Sequence, residues 1–370
     1  MQTLGSRLAS YGDRGPGFDF LRIALAMGVL LTHCVQLFFG DKTTIWESPL
    51  WIADYAILPM FFALSGFLVA GSALRNSTSE FVVNRFLRIV PALAIEICLS
   101  ALILGPIVTQ YSLADYFAGP EFRRYFLNIL GWIHFELPGV FLQNPLPRTV
   151  NASLWTIPHE ILCYIVMIGM MTFGLLRRPS LLIASVVGLF LLAAAVQLLL
   201  GKAGLMSYVG AGASDMSKQI VRLLPFFMLG CAAYLFRNFI PADGRLFALA
   251  ILLFALAGFL VQWQTGQSAL FRMLISPVLI YMTVYVGLYD IPRLPFYSRG
   301  DYSYGVYLYG FPIQQTILFY LKPFITFPIF IILSIAAASV FAAFSWHVIE
   351  KPTLRLRKRL TLSHPVRAAA

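Results

Sequence analysis

The chain has 370 residues, 59% of them hydrophobic and only 12% charged, with a mean hydropathy of +0.79. Soluble domains carry about a quarter of their residues as Asp, Glu, Lys or Arg, so half that share excludes a water-exposed enzyme of this size. Lys and Arg number 27 against 16 Asp and Glu, and the meaning of the resulting +11 depends on where the basic residues fall.

A membrane-spanning helix needs about 20 mostly apolar residues. Ten such segments are predicted, near 20–39, 51–70, 88–105, 154–176, 180–200, 219–236, 246–264, 270–289, 301–320 and 324–348. The expected fold is therefore an all-α integral membrane bundle of about ten helices. It forms a single domain, 1–370, with its core at 18–352 and a basic tail at 353–370. Arg7 and Arg14 precede the first segment, which lacks a small-residue cleavage site and reads as a retained helix rather than a signal peptide.

With the N-terminus in the cytoplasm, eighteen Lys and Arg fall on that side and nine on the other, among them Lys42, Arg123, Arg124, Arg148, Arg222 and Arg272. That bias predicts N-in and C-in. The basic excess is thus a topology signal, and nucleic acid is not expected as a partner. Cys34, Cys98, Cys163 and Cys231 all sit in apolar stretches without metal-type spacing and read as inert buried thiols. No metal site and no permanently bound cofactor are expected.

Ionisable residues inside spanning helices are costly and mark candidate functional sites. The first segment carries Arg22 and His33, eleven positions apart. At 100° per residue both project from one face, about 16 Å apart along the axis, with Arg22 at the cytoplasmic boundary. Arg85 and Arg88 follow, at the start of the third segment, spaced to grip one anion. Glu96, farther along it, reads as a structural hydrogen-bonding partner.

The connection 106–153 is too long and polar for a simple turn and is predicted to face outward. Within it Phe122–Trp132 is predicted to form a short amphipathic interfacial helix. The fourth segment then opens with Asn151-Ala-Ser-Leu-Trp155-Thr-Ile-Pro158-His159-Glu160. Glu160 lies at a depth matching His33, where a carboxylate can orient an imidazole and support its charged form. His159 is a competing candidate.

Together these stretches resemble the membrane-bound acyltransferase-3 family, the bacterial acylators of surface polysaccharides. An arginine and histidine separated by ten residues match Arg22 and His33 in FDFLRIALAMGVLLTHC, and an SGFL-type second helix matches FFALSGFLVA. Paired arginines match Arg85 and Arg88 in NRFLRIVP, and a tryptophan–glutamate segment is similar to SLWTIPHEILCY. GDYSYGVYLYGFP and SWHVIEKP are late matches. The resemblance spans residues 18–352. Two departures stand out. Many relatives carry a histidine where this chain has Gly310, so no role is transferred there. The fused extracytoplasmic domain of some relatives is also not expected here.

The resemblance implies an O-acyltransferase of the bacterial inner membrane. Acyl-CoA, acetyl-CoA by default, is the implied co-substrate, its phosphates held by Arg22, Arg85 and Arg88. His33 would act as general base or transient acyl acceptor, oriented by Glu160, with Ser65 and Trp155 lining an acyl channel. The acceptor would be a glycan or lipid-linked saccharide, acylated directly or through a separate extracytoplasmic transferase. Composition alone also permits a proton-coupled transporter or a non-catalytic partner in polysaccharide assembly.

Overall fold

The computed structural model describes residues 2–210, 216–291, 296–297 and 300–361, with side chains throughout except at 193, 196–221 and 357–361. Of the basic residues that set the predicted orientation, Arg293, Arg299 and Arg367 lie outside the described residues, as do the side chains of Lys202, Lys218, Arg357, Lys358 and Arg359.

Every regular element among the described residues is helical. A capped α1 (Leu4–Ser10) precedes α2 (Phe18–Phe39), the single turn α3 (Thr43–Trp46) and α4 (Trp51–Ala73). Next, α5 (Thr78–Leu99) runs through a π-helical stretch, Ser100–Leu104, into α6 (Gly105–Val108). Short α7 (Leu113–Ala118) and α8 (Pro120–Tyr125) lie in the long connection. They are followed by α9 (Ile157–Thr172), α10 (Pro179–Gly210), α11 (Met216–Leu235), α12 (Gly244–Leu260), the single turn α13 (Trp263–Gly266) and α14 (Ala269–Gly287). Last come α15 (Ser303–Leu321) and α16 (Phe327–Phe344), which continues through a second π-helical stretch, Ser345–Glu350, into α17 (Lys351–Thr361).

A helix stands at each of the ten predicted segments, and among the described residues six helices are long and apolar enough to cross a membrane. The chain is an integral membrane helical bundle. Within Phe327–Leu356 an 18-residue stretch has a mean hydropathy of 2.4, and only 28% of it is buried within the protein. Such a surface is stable only against lipid.

One boundary differs from expectation. The third spanning helix begins at Thr78, not near 88, because Ser77 and Glu80 form a reciprocal capping box. Arg85 and Arg88 therefore sit in the helix interior rather than at its start.

The chain divides into two compact units, Met1–Leu74 with Trp155–Ser298, and Arg75–Leu154 with Arg299–Ala370. In the first unit α4 and α11 cross at backbone contact. A Cβ on Gly66 would stand 2.0 Å from the Phe227 carbonyl oxygen, and one on Gly230 would stand 2.1 Å from that of Ala63. The Cys231 thiol donates to the Gly66 carbonyl at 3.3 Å. Small residues permit such approach where lipid offers no hydrophobic drive between helices. The SGF stretch of α4 is thus first a packing motif. At the N-terminus, α1 buries Leu4 and Leu8, while Arg7 donates to the Leu288 carbonyl and stacks on Tyr289 at 3.8 Å.

In the second unit the connection 106–153 is ordered by its own polar groups. The Tyr116 hydroxyl donates to the Ala101 carbonyl at 2.7 Å. Asn144 donates to the carbonyl and side-chain oxygen of Gln315, whose amide returns bonds to Leu146 and Thr149. The continuous interfacial helix expected over Phe122–Trp132 is replaced by α8, a 3-10 turn at Phe126–Leu130 and a left-handed Gly131. Asn128 causes the break: its amide donates to the Tyr125 and His134 carbonyls, and its oxygen accepts from the His134 backbone.

Two predictions follow from packing and charge here. Gly66→Val or Gly230→Val forces α4 and α11 apart at a cost of about 1–3 kcal/mol, seen as a lower melting temperature of the detergent-solubilised protein. His134 has its pKa held below the ordinary histidine value by burial and then by the Arg124 charge. Stability of this connection is complete above about pH 6.5 and falls as pH drops towards the folded-state value, because the unfolded chain takes up the proton first. Hydrogen exchange at residues 126–135, corrected for intrinsic rates, should rise on acidification in the parent and not in His134→Asn.

Candidate functional site

In the first unit one continuous helix, α2, carries both Arg22 and His33. His33 is only 8% exposed, beside buried Leu30, Cys34 and Leu37. Arg22 is half-buried and pairs with Asp19 at 3.1 Å, one turn earlier. An i,i+3 pair of that exposure contributes little to stability. Both α2 and the Glu160 helix, α9, pack against α4.

Glu160 lies in the first turn of α9, where the helix dipole favours a carboxylate. Its Oε1 accepts from the Tyr164 hydroxyl one turn on. Tyr164 was not singled out from sequence, although its i,i+4 spacing from Glu160 was the available signal. His159 turns back on the preceding turn: its Nδ1 meets the Trp155 carbonyl at 3.0 Å, and its ring stands edge-on to Trp155 at 5.4 Å. Trp155 is thereby joined to His159, and Glu160 to Tyr164. Ser65 is half-buried beside Gly66, which makes the close crossing.

The second unit holds the paired arginines, which have different surroundings. Arg88 donates to Asp301 Oδ2 at 2.7 Å and to Glu350 Oε2 at 3.0 Å. Glu350 is 2% exposed and also accepts from Ser345, while Asp301 accepts from Ser303. Tyr304 lies under the Arg88 guanidinium at 5.6 Å and donates to the Ile89 carbonyl. Close by in sequence, the Tyr302 hydroxyl meets His347 Nε2 at 2.9 Å. The NRFLR, GDYSYG and SWHVIE stretches thus converge on one guanidinium. Arg85, one turn earlier, lies 5.8 Å from the Phe81 ring.

Farther along α5, Glu96 is 1% exposed and accepts through Oε1 from Ser100 at 2.9 Å and from Asn151 at 3.0 Å. Asn151 also donates to the Leu308 carbonyl, and Tyr307 donates to that of Ser153. The hydrogen-bonding role expected of Glu96 is what these contacts describe. A cavity of about 600 Å³ in the first unit, lined by Leu229, Phe236, Leu249 and Tyr281 among others, includes none of the predicted site residues.

The sequence pattern of this family, described as an acyltransferase domain, matches residues 16–346. The chain belongs to the acyltransferase-3 family. It is 26% identical over 347 residues to an O-acetyl transferase of Shigella phage Sf6, covering 90% of this chain and 94% of that protein. It is 27% identical over 388 residues to nodulation protein 10 of Rhizobium leguminosarum bv. viciae, covering 95% and 96%. A shorter match, 36% over 83 residues, links it to nodulation protein NolL of Sinorhizobium fredii, covering 22% and 23%. No solved structure matches the chain at a significant level. The matched residues include Arg88 and Asp301, while Glu350 lies four positions past their end.

Removing Arg88 would strand two carboxylates, Glu350 almost fully buried. Arg88→Ala should destabilise the acyltransferase by about 3–5 kcal/mol, read as a fall in melting temperature and folded yield. Arg88→Lys should recover little, since an ammonium lacks the fork that reaches both carboxylates. Arg85→Ala should leave the melting temperature near the parent's.

Proposed function

We propose that this membrane O-acyltransferase moves an acyl group, acetyl by default, from cytoplasmic acyl-CoA to a hydroxyl of an extracytoplasmic or lipid-linked glycan in the inner membrane. The observation that carries the reading is His33, a buried imidazole deep in the apolar first spanning helix of an acyltransferase. The name of the phage relative, an O-acetyl transferase, supports acetyl as the group moved.

His33 takes the proton of the acceptor hydroxyl as that oxygen attacks the thioester carbonyl. The C–S bond then breaks, and the imidazolium returns the proton to the departing thiolate. In the covalent variant of this route the imidazole itself accepts the acyl group and passes it to the hydroxyl, or to a separate extracytoplasmic transferase. Glu160 stabilises the imidazolium, with its own carboxylate steadied by Tyr164. Arg22 shifts from Asp19 to a donor phosphate. Arg85 supplies a further phosphate contact, and Arg88 supports it from within its clamp. Ser65 and Trp155 line the acyl path. N-in and C-in topology sets donor and acceptor on opposite faces.

Membranes carrying the protein, supplied with labelled acetyl-CoA, should pass label into surface glycan. His33→Ala should lower the rate by about 10²–10⁴-fold, the range for loss of a general base. Glu160→Gln should cause a smaller loss, and Tyr164→Phe a smaller one still. Arg85→Ala should raise the KM for acetyl-CoA with folded yield intact. Transfer by His33→Ala at the parental rate would overturn the catalytic assignment.

A further inference from the structure

At one end of the first unit, buried hydrogen-bond donors gather without matching acceptors. Arg222, on α11, sets its guanidinium 5.8 Å from the centre of the Tyr55 ring. Arg272, on α14, lies near enough that all three groups act on one another electrostatically. The Nε atoms of both arginines, the Tyr55 hydroxyl, Trp46 Nε1 and Gln267 Nε2 are buried and have no hydrogen-bond partner among the described residues. No carboxylate among the described residues forms an ion pair with either arginine. Asp54, next to Tyr55, is already taken by Lys42 at 2.9 Å.

The surroundings are aromatic. Trp46 stacks flat on Trp263, with centroids 5.0 Å apart and planes within 4°. Trp51 meets Trp263 edge-on at 6.1 Å, and both Trp51 and Tyr55 contact Phe271, at 5.6 and 5.8 Å.

Basic side chains that only anchor a helix at a membrane surface send their charged ends outward into water. Here two like charges converge on one tyrosine, in a setting where mutual repulsion is weakly screened. An anion placed between them removes that repulsion and supplies the missing acceptors. Forked guanidinium donors suit phosphate and carboxylate oxygens. Flat aromatic rings suit the apolar face of a sugar, a large contact at low entropic cost. On the proposed topology this end faces outward, and the Lys42 charge beside it acts on His33, so the cluster lies on the acceptor's side of the catalytic histidine.

We propose that Arg222 and Arg272, with Tyr55 and the Trp46–Trp263 stack, form an oxyanion subsite that holds a phosphate or carboxylate of the acceptor saccharide. This rests on the acyltransferase reading above, and it makes the acceptor an anionic glycan.

The test uses the full-length protein in detergent and phosphate-free buffer, following tryptophan fluorescence and thermal unfolding. Probes are inorganic pyrophosphate for phosphate chemistry, glucuronate for carboxylate chemistry, glucose as neutral control and coenzyme A as donor control. Pyrophosphate or glucuronate should give a saturable fluorescence change and raise the melting temperature, and glucose should do neither. Which of the two binds identifies the oxyanion. Arg222→Gln and Arg272→Gln should each weaken that binding at least tenfold and leave the coenzyme A titration unchanged. Their melting temperatures without probe should stay at or above the parent's, because one of two like charges is gone. Arg272→Lys should recover part of the binding.

Three results would overturn the subsite. The first is no saturable response to either anion in the parent, or an equal response in parent and variants. The second is loss of coenzyme A binding in place of anion binding. The third is a lower probe-free melting temperature in both glutamine variants with no recovery in Arg272→Lys. Acetyl transfer is measured in parallel: transfer without anion binding defeats the subsite alone, whereas anion binding without transfer upholds the subsite and defeats the acyltransferase reading beneath it.

Discussion

Arg88 shows the constraint that shapes this protein: a charge inside an apolar bundle is costly until another group answers it. One guanidinium is answered by Asp301 and Glu350 together, and those two residues lie more than two hundred positions along the chain. The ion triad closes the second unit, drawing the middle of α5, the start of α15 and the π-helical end of α16 onto one point. Serines on both carboxylates and a tyrosine beneath the guanidinium complete it. A single missing member would leave a buried charge without its counter-charge.

The first unit solves a different problem by different means. Its crossing of α4 and α11 contains no charge, only glycines that let two backbones touch. That spares its ionisable groups for other tasks. Arg22 pairs with half-exposed Asp19, Glu160 accepts from a tyrosine, and the Arg222 and Arg272 pair has no counter-charge among the described residues.

Much of this was legible in the residues. Apolar runs located a helix at each of the ten predicted segments, six of them, among the described residues, long and apolar enough to cross a membrane, because burial in lipid requires length and hydropathy whatever the neighbours are. His33 stood out because histidine is rare in such surroundings. The start of α5 was misplaced, since hydropathy falls at Arg85 and Arg88 although the helix continues upstream to a Ser77–Glu80 cap. Phe122–Trp132 carried an amphipathic pattern, yet Asn128 competes for the backbone and breaks it. Arg85 and Arg88 looked equivalent as a pair; only their neighbours distinguish them.

The sequence by itself determined that the chain lives in a membrane, roughly where it crosses, and which few ionisable residues to suspect. Those conclusions depend on composition and on periods shorter than one helix. Tertiary structure decided which charges are already paired, Arg88 with two distant carboxylates and Asp54 with Lys42, and it gave one oxygen of Glu96 its hydrogen bonds from Ser100 and Asn151. It also brought Arg222 and Arg272 to one tyrosine, a meeting of three helices that no local pattern encodes. Pairing over long sequence separation is a property of the folded chain, because a charge is defined as satisfied or unsatisfied only by what packs against it.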